Sequence, residues 1–142
     1  MTSPDDLSAG HDRAAEFLRL LGDDDTAAAD RVLAELPEVR DLVFLGAGLT
    51  AVARAEARSL PPAQRAQANT RQLRLGVLRD ANRDDPAGLR VWLRRAGEEI
   101  LLLRSQQAIA DRVAADAQER TATRAAAEAS GTAAASDAAT TR

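Results

Sequence analysis

The segment 42–57, LVFLGAGLTAVARAEA, constrains the fold most, because it is the most apolar part of the chain. Its uncharged stretch, 42–53, has 12 residues, well short of the roughly 20 that span a bilayer. Folded as one helix, it is apolar on all sides, which is typical of the buried centre of a helical bundle. Folded as a strand, a glycine turn and a helix, it would begin an α/β domain.

Gly46 to Ala51, GAGLTA, match the G-x-G-x-x-G/A pattern and resemble the opening turn of flavin- and nicotinamide-binding proteins. The resemblance implies a dinucleotide whose pyrophosphate lies at a helix N-terminus. Such a unit also needs a strand before the glycines, and a second strand with an acidic residue for the ribose. Here the preceding residues have helical spacing, and Asp80 follows the strand-like piece 72–78 too late. We therefore interpret 42–57 as a helix and place a dinucleotide-binding enzyme third among the functions.

The composition favours helices throughout. Of the 64 apolar residues 33 are alanine, and 18 of the 31 larger ones are leucine. Alanine and leucine are strong helix formers, whereas the β-branched residues typical of strands are scarce. A chain of 142 residues is the size of one domain. We predict an all-α fold, a small bundle of about five helices with a long C-terminal helix.

Three regions are predicted from the distribution of large apolar residues. Residues 1–11 form a flexible N-terminus, and residues 12–118 form the helical bundle. Past Val113 every apolar side chain is alanine, so packing fades there. Residues 119–142 are therefore a fraying helix end followed by a disordered tail rich in Ala, Thr and Ser.

The side-chain inventory excludes many reactions. All 19 basic residues are arginine, His11 is the single histidine, and cysteine and tyrosine are absent. One copy of this chain therefore cannot assemble a Schiff-base lysine, a thiol nucleophile, a zinc cluster or a serine-histidine relay. We expect a protein that is not an enzyme, with no catalytic residue, no cofactor and no metal.

The same inventory bears on location. Without cysteine there is no disulfide partner, and the acidic, polar N-terminus is unlike a signal peptide. We expect a cytoplasmic protein without a membrane partner. The excess of arginine and alanine is typical of a high-GC genome, and the composition resembles that of small accessory proteins of actinobacteria and their phages.

Glycine, proline and capping residues divide the chain into helices. The predicted helices are 12–21, 26–36, 37–60, 63–83 and a fifth that begins at 86. The run Asp23 to Asp25 is predicted to cap the second helix, with a magnesium site as the less favoured alternative. In the fourth helix, Ala66, Thr70, Leu73 and Val77 form the predicted core-facing side. The spacing does not decide whether Gly97 interrupts the fifth helix.

The fifth helix suggests the function that we favour, a protein that binds another protein. Its apolar stripe from Leu89 to Ala110 outlasts the core that the first four helices offer. The candidate interface residues are Ile100, Leu101, Leu102, Leu103, Ile109 and Val113. A second copy of the chain is the simplest partner, through the helix at 89–117. The alternative is that the first two helices cover the cluster at 100–103.

Charge is unevenly distributed along the chain and suggests a second function. Residues 1–41 hold 4 arginines against 11 acidic residues, whereas residues 60–95 hold 8 arginines against 3. The two regions either attract each other within the fold or leave an arginine face for nucleic acid. The candidate contacts to nucleic acid or another anion, all in the segment 65–95, are Arg71, Arg74, Arg83, Arg90, Arg94 and Arg95.

Overall fold

The structure is a computed structural model that describes the backbone of residues 4–140 and the side chains of residues 4–131. Over that range the protein is all-α, as predicted, with five helices and no strand. The helices are α1 (Pro4–Gly22), α2 (Thr26–Ala34), α3 (Val39–Arg58), α4 (Pro62–Ala81) and α5 (Pro86–Thr140). The chain divides after Gln107 into a bundle, Met1–Gln107, and a C-terminal unit, Ala108–Arg142.

Helix α1 begins at Pro4, so the predicted start at residue 12 is wrong. Proline suits the first position of a helix because its missing N–H would have no helical partner there. Asp5 and Asp6 in the first turn favour the same start, because they interact with the positive end of the helix dipole. From Pro4 onward, the segment predicted to be flexible is thus part of α1, and Gly10 within it is buried.

Helix α2 begins as predicted. Asp25 is its N-cap, and its Oδ1 accepts a hydrogen bond of 3.1 Å from the backbone N–H of Ala28. At the other end, Arg90 of α5 donates from Nε to the carbonyl of Leu33 and from Nη2 to that of Leu36, both at 3.2 Å. A cation at these carbonyls complements the negative end of the dipole of α2.

The segment 42–57 lies entirely within α3, which confirms the helix and makes the strand–turn–helix alternative wrong. Leu42, Leu45 and Leu49 are fully or almost fully buried, so α3 is central. None of the described glycines has a positive φ. Thr50 Oγ1 donates to the carbonyl of Gly46 at 2.9 Å, a bond within the helix.

Helices α1 and α3 approach closely at two glycines. A Cβ at Gly48 would lie 2.9 Å from Cβ of Ala14 and 3.1 Å from the carbonyl oxygen of Gly10. A Cβ at Gly10 would lie 2.7 Å from the carbonyl oxygen of Phe44. Since the distances of 3.1 Å and 2.7 Å are to backbone oxygens, a side chain at either glycine would force the helices apart.

Two further glycines make room for large side chains. A Cβ at Gly46 would lie 2.6 Å from Cζ3 of Trp92, so an indole occupies this place and the close helix crossing is at Gly48. A Cβ at Gly97 would lie 2.6 Å from Cδ1 of Leu21. Helix α5 continues through Gly97, so this glycine does not interrupt it.

The core of the bundle comes chiefly from α1, α3 and α5. Its largest fully buried side chains are Phe17, Leu42, Leu45, Leu49, Leu89, Leu93, Ile100 and Leu103. From α4 only Ala68 is buried among the described residues.

The predicted core-facing side of α4 is wrong. Leu73 and Val77 are 73% and 70% exposed. The opposite side, with Ala68, Leu75 and Leu78, faces the bundle instead. The prediction failed because the buried side of α4 also carries Arg71, which pairs with Glu99 of α5. Helical spacing within α4 does not reveal such a pair.

In the C-terminal unit, the side chains from Asp111 to Gly131 are exposed. Of the tail predicted at 119–142, the backbone of residues 119–140 belongs to α5. The part 132–142 lies outside the described side chains, so its disorder stays a prediction.

We predict that Gly46→Leu lowers the free energy of unfolding by about 1–3 kcal/mol, because the new side chain overlaps the indole of Trp92. Chemical denaturation measures the change. Gly76→Ala is the control, since its Cβ would meet nothing closer than Nη2 of Arg79 at 3.9 Å. Alanine should there stabilise α4 by about 0.5–1 kcal/mol. A silent Gly46→Leu would contradict the central position of α3.

Candidate functional site

Two of the six predicted interface residues belong to the core. Ile100 and Leu103 are 0% exposed, and Leu101 is partly buried against the core. Phe17 and Leu21 of α1 pack against α5 at Gly97, one turn before Ile100. Ile100 and Leu103 are therefore not available to a partner in this fold. Within the cluster, α1 approaches Leu101, whose Cδ2 would lie 3.9 Å from a Cβ at Gly22.

The other predicted interface residues are exposed. Leu102, in the bundle, is 42% exposed. In the C-terminal unit Ile109 and Val113 are 55% and 59% exposed. Since these two are four residues apart, they lie on one face of their helix.

Two of the six predicted anion contacts are engaged in bonds within the bundle. Arg90 binds the carbonyls at the end of α2. Arg94 Nη1 lies 2.5 Å from Oδ1 of Asp30, and its Nε lies 3.2 Å from Oε1 of Glu98. Only the pair of Arg94 with Asp30 is an attraction between the acidic N-terminal region and the basic middle region, since Arg90 binds backbone carbonyls.

Three of the predicted contacts meet in a small cleft of about 220 Å³ between α4 and α5, which we call the arginine cleft. It is lined by Arg71, Arg74, Leu75, Leu78, Arg95 and Glu99. Arg83 lies elsewhere, in the α4–α5 connection with Asp80, Asp84 and Asp85. Arg95 also lines a second pocket, of about 470 Å³, together with Arg90 and Arg94. Five of the six arginines thus border two pockets that share Arg95, and Asp30, Glu98 and Glu99 lie among them.

Arg71 and Glu99 form the buried ion pair that links α4 to α5. Glu99 is only 8% exposed, and its Oε1 lies 2.7 Å from Nε of Arg71. Arg71 Nη2 also donates to Oε1 of Gln106 at 3.5 Å. A carboxylate this deeply buried depends on its partner, because its interactions with water are largely lost.

A groove of about 600 Å³ lies between α3, α4 and α5, and the sequence did not predict it. Its apolar lining comprises Leu49, Ala53, Leu73, Leu75, Gly76, Val77, Trp92 and Ala96. Its polar lining comprises Thr50, Arg54, Asn69, Gln72, Arg79 and Asp80. We call it the α4 groove.

Leu73 and Val77 are the most exposed large apolar side chains among the described residues. They are four residues apart and so form one stripe along α4. The floor of the groove behind them includes Trp92, which is 4% exposed. The apolar spacing at 73 and 77 was visible in the sequence, but spacing alone assigns such residues to a core rather than to a binding surface.

We predict that Arg71→Met destabilises the fold by about 1–3 kcal/mol. This is less than the 3–5 typical of a fully buried pair, because Arg71 keeps some contact with water. Thermal and chemical denaturation measure the loss. Adding Glu99→Leu should recover most of it, since no buried charge then lacks a partner. Arg74→Met is the control and should stay within about 0.5 kcal/mol of the parent; equal losses in Arg71→Met and Arg74→Met would contradict the role of the pair.

Neither the side chains present nor comparison with known proteins points to a known activity. Among the described residues, no group of three His, Asp or Glu side chains could hold a metal ion. None of the described helices has the length and apolar character needed to cross a membrane. No family model, curated protein or solved structure matches this chain.

Proposed function

We propose that this chain is a non-catalytic helical protein that binds another protein through the α4 groove. The observation that carries the proposal is the exposed stripe of Leu73 and Val77 beside an apolar floor. Exposed apolar patches next to a groove are characteristic of interaction sites. A groove between helices suits an amphipathic helix, whose apolar face covers such a stripe.

The polar lining of the groove supports binding rather than catalysis. Thr50 donates its hydroxyl to a carbonyl of its own helix. Arg79 and Asp80 pair with each other, with Nε and Oδ1 3.1 Å apart. The amide side chains of Asn69 and Gln72 are neither acids nor bases at neutral pH.

Self-association through the helix at 89–117 is a second form of the same function. A dimer of this kind depends on the exposed residues Leu102, Ile109 and Val113, because Ile100 and Leu103 are in the core. Light scattering of the purified chain measures this directly, since a dimer doubles the molar mass.

A nucleic-acid-binding regulator is less well supported. Arg90 and Arg94 are bonded within the bundle, and Arg83 lies among aspartates. The two pockets that hold the other arginines also contain Asp30, Glu98 and Glu99, so carboxylates interrupt the basic surface along which a nucleic acid backbone would be bound.

We predict that selection from a displayed library of amphipathic helices yields binders that depend on the α4 groove. Leu73→Gln combined with Val77→Gln should abolish their binding, because it removes the apolar stripe without adding charge and keeps a good helix former. The folded state should persist, since both side chains are mostly exposed.

Val91→Gln is the matched control, because Val91 is a half-exposed apolar residue on α5 that does not line the groove. Binders should retain their affinity for this variant. Selected helices that bind the Leu73→Gln, Val77→Gln protein as tightly as the parent would show that the α4 groove is not the binding site.

A further inference from the structure

The charges on α3 and α4, two of the three helices that line the α4 groove, are unequally neutralised. The carboxylates of α3 and α4 all have a partner: Asp41 with Arg13 at 4.0 Å, Glu56 with Arg104 at 3.1 Å and Asp80 with Arg79 at 3.1 Å. No carboxylate on these helices is therefore left to attract a cation.

Four arginines on the same helices lack an ion-pair partner in the part of the chain that the structure describes. They are Arg54 and Arg58 on α3 and Arg65 and Arg74 on α4, and all four are exposed. Arg54 lines the groove, and Arg58 lies one turn further along the same face of α3, whereas Arg74 lines the arginine cleft. The α3 side of the apolar groove thus carries uncompensated positive charge, although the chain as a whole has a net charge of −3.

We propose that the occupant of the α4 groove is an acidic amphipathic helix of a partner protein, an inference that rests on the proposed function. Carboxylates beside the partner's apolar face would meet Arg54 and Arg58 on the α3 side of the groove. Complementary charge of this kind raises the association rate and disfavours partners of the wrong charge.

Two other occupants fit these observations less well. A second copy that presents its own α3 or α4 would bring two more unpaired arginines to the interface, and like charges repel. Nucleic acid would satisfy the arginines but offers no apolar surface for the groove. The groove needs both an apolar face and negative charge.

The groove also sets the size of the contact. Its α4 lining runs from Asn69 to Asp80, which at 1.5 Å per residue is about 16 Å of helix. About three turns of the partner helix therefore fit along it. Apolar residues at i, i+3 or i+4, and i+7 of that helix would cover Leu73, Val77 and the edge of Trp92.

The chain carries its own reporter for this site. Trp92 is the single tryptophan and lines the groove. A helix that enters the groove changes the surroundings of the indole and hence its fluorescence, whereas binding at a distant surface leaves its emission unchanged.

The test uses the same library of amphipathic helices. The positions beside the apolar face of each helix now encode Asp, Glu, Lys, Arg or Gln. Helices that depend on Leu73 and Val77 should be acidic at these positions. One such helix, made as a peptide, is then titrated while Trp92 fluorescence is followed, beside a version in which lysine replaces each acidic residue. The acidic peptide should bind about tenfold or more tightly, and added salt should narrow the difference because it screens exposed charges.

Variants of the protein separate charge from fold. Arg54→Glu with Arg58→Glu should weaken binding of the acidic peptide about tenfold or more and strengthen that of the lysine version. Arg112→Glu with Arg120→Glu changes the net charge equally in the C-terminal unit and should have little effect. Circular dichroism checks that each variant is folded.

Distinct results would overturn the two proposals. If groove-dependent helices are neutral or basic, or if Arg54→Glu with Arg58→Glu leaves affinity unchanged, the acidic partner is wrong and the groove remains a binding site. A homodimer that Leu73→Gln with Val77→Gln dissociates would also overturn it, since the occupant would then be a second copy. If no selected helix depends on Leu73 and Val77, the proposed function itself is wrong.

Discussion

The close approach of α1 and α3 at Gly10 and Gly48 is the contact on which the rest of the bundle depends. More than half of the apolar residues are alanine, so few side chains can fill a wide space between helices. Where two helix backbones approach closely, their direct contact takes the place of the missing side-chain volume. Dispersion attraction stabilises this contact, and it acts only at short range. With α1 and α3 in place, Gly46 and Gly97 let Trp92, Phe17 and Leu21 close the core against α5.

Helix α4 is held in a different way. It buries one alanine, adds partly buried Leu75 and Leu78, and is tied to α5 by Arg71 and Glu99. An ion pair fixes position and register more than it adds stability, because both charges lose water. The side of α4 that faces away from the bundle keeps its apolar residues and forms the edge of the groove. The weakest part of the fold is thus also its candidate binding site.

Local sequence signals predicted the helices well and their partners less well. The apolar segment at 42–57, the cap at Asp25 and the start of α5 at Pro86 depend on neighbouring residues, and the structure has all three. The buried side of α4 depends on Glu99, which is 28 residues from Arg71 and invisible to helical spacing. The same limit explains Ile100 and Leu103, whose burial depends on the packing of other helices and not on spacing within α5. The α4 groove depends on which side of α4 is buried and on how α3, α4 and α5 pack, so no pattern within a single helix could reveal it.

Native-state hydrogen exchange tests most directly whether α1, α3 and α5 form the stable core and α4 is weakly attached. Amide exchange resolved by residue gives the opening free energy of each helix. Amides in the centres of α1 and α3 should exchange only on global unfolding, while those of α4 from Ala68 to Leu78 should exchange through a separate opening of lower free energy. Protection of α4 equal to that of α3 would contradict a weakly held α4 and would mean that the packing around Arg71 and Glu99 belongs to the core.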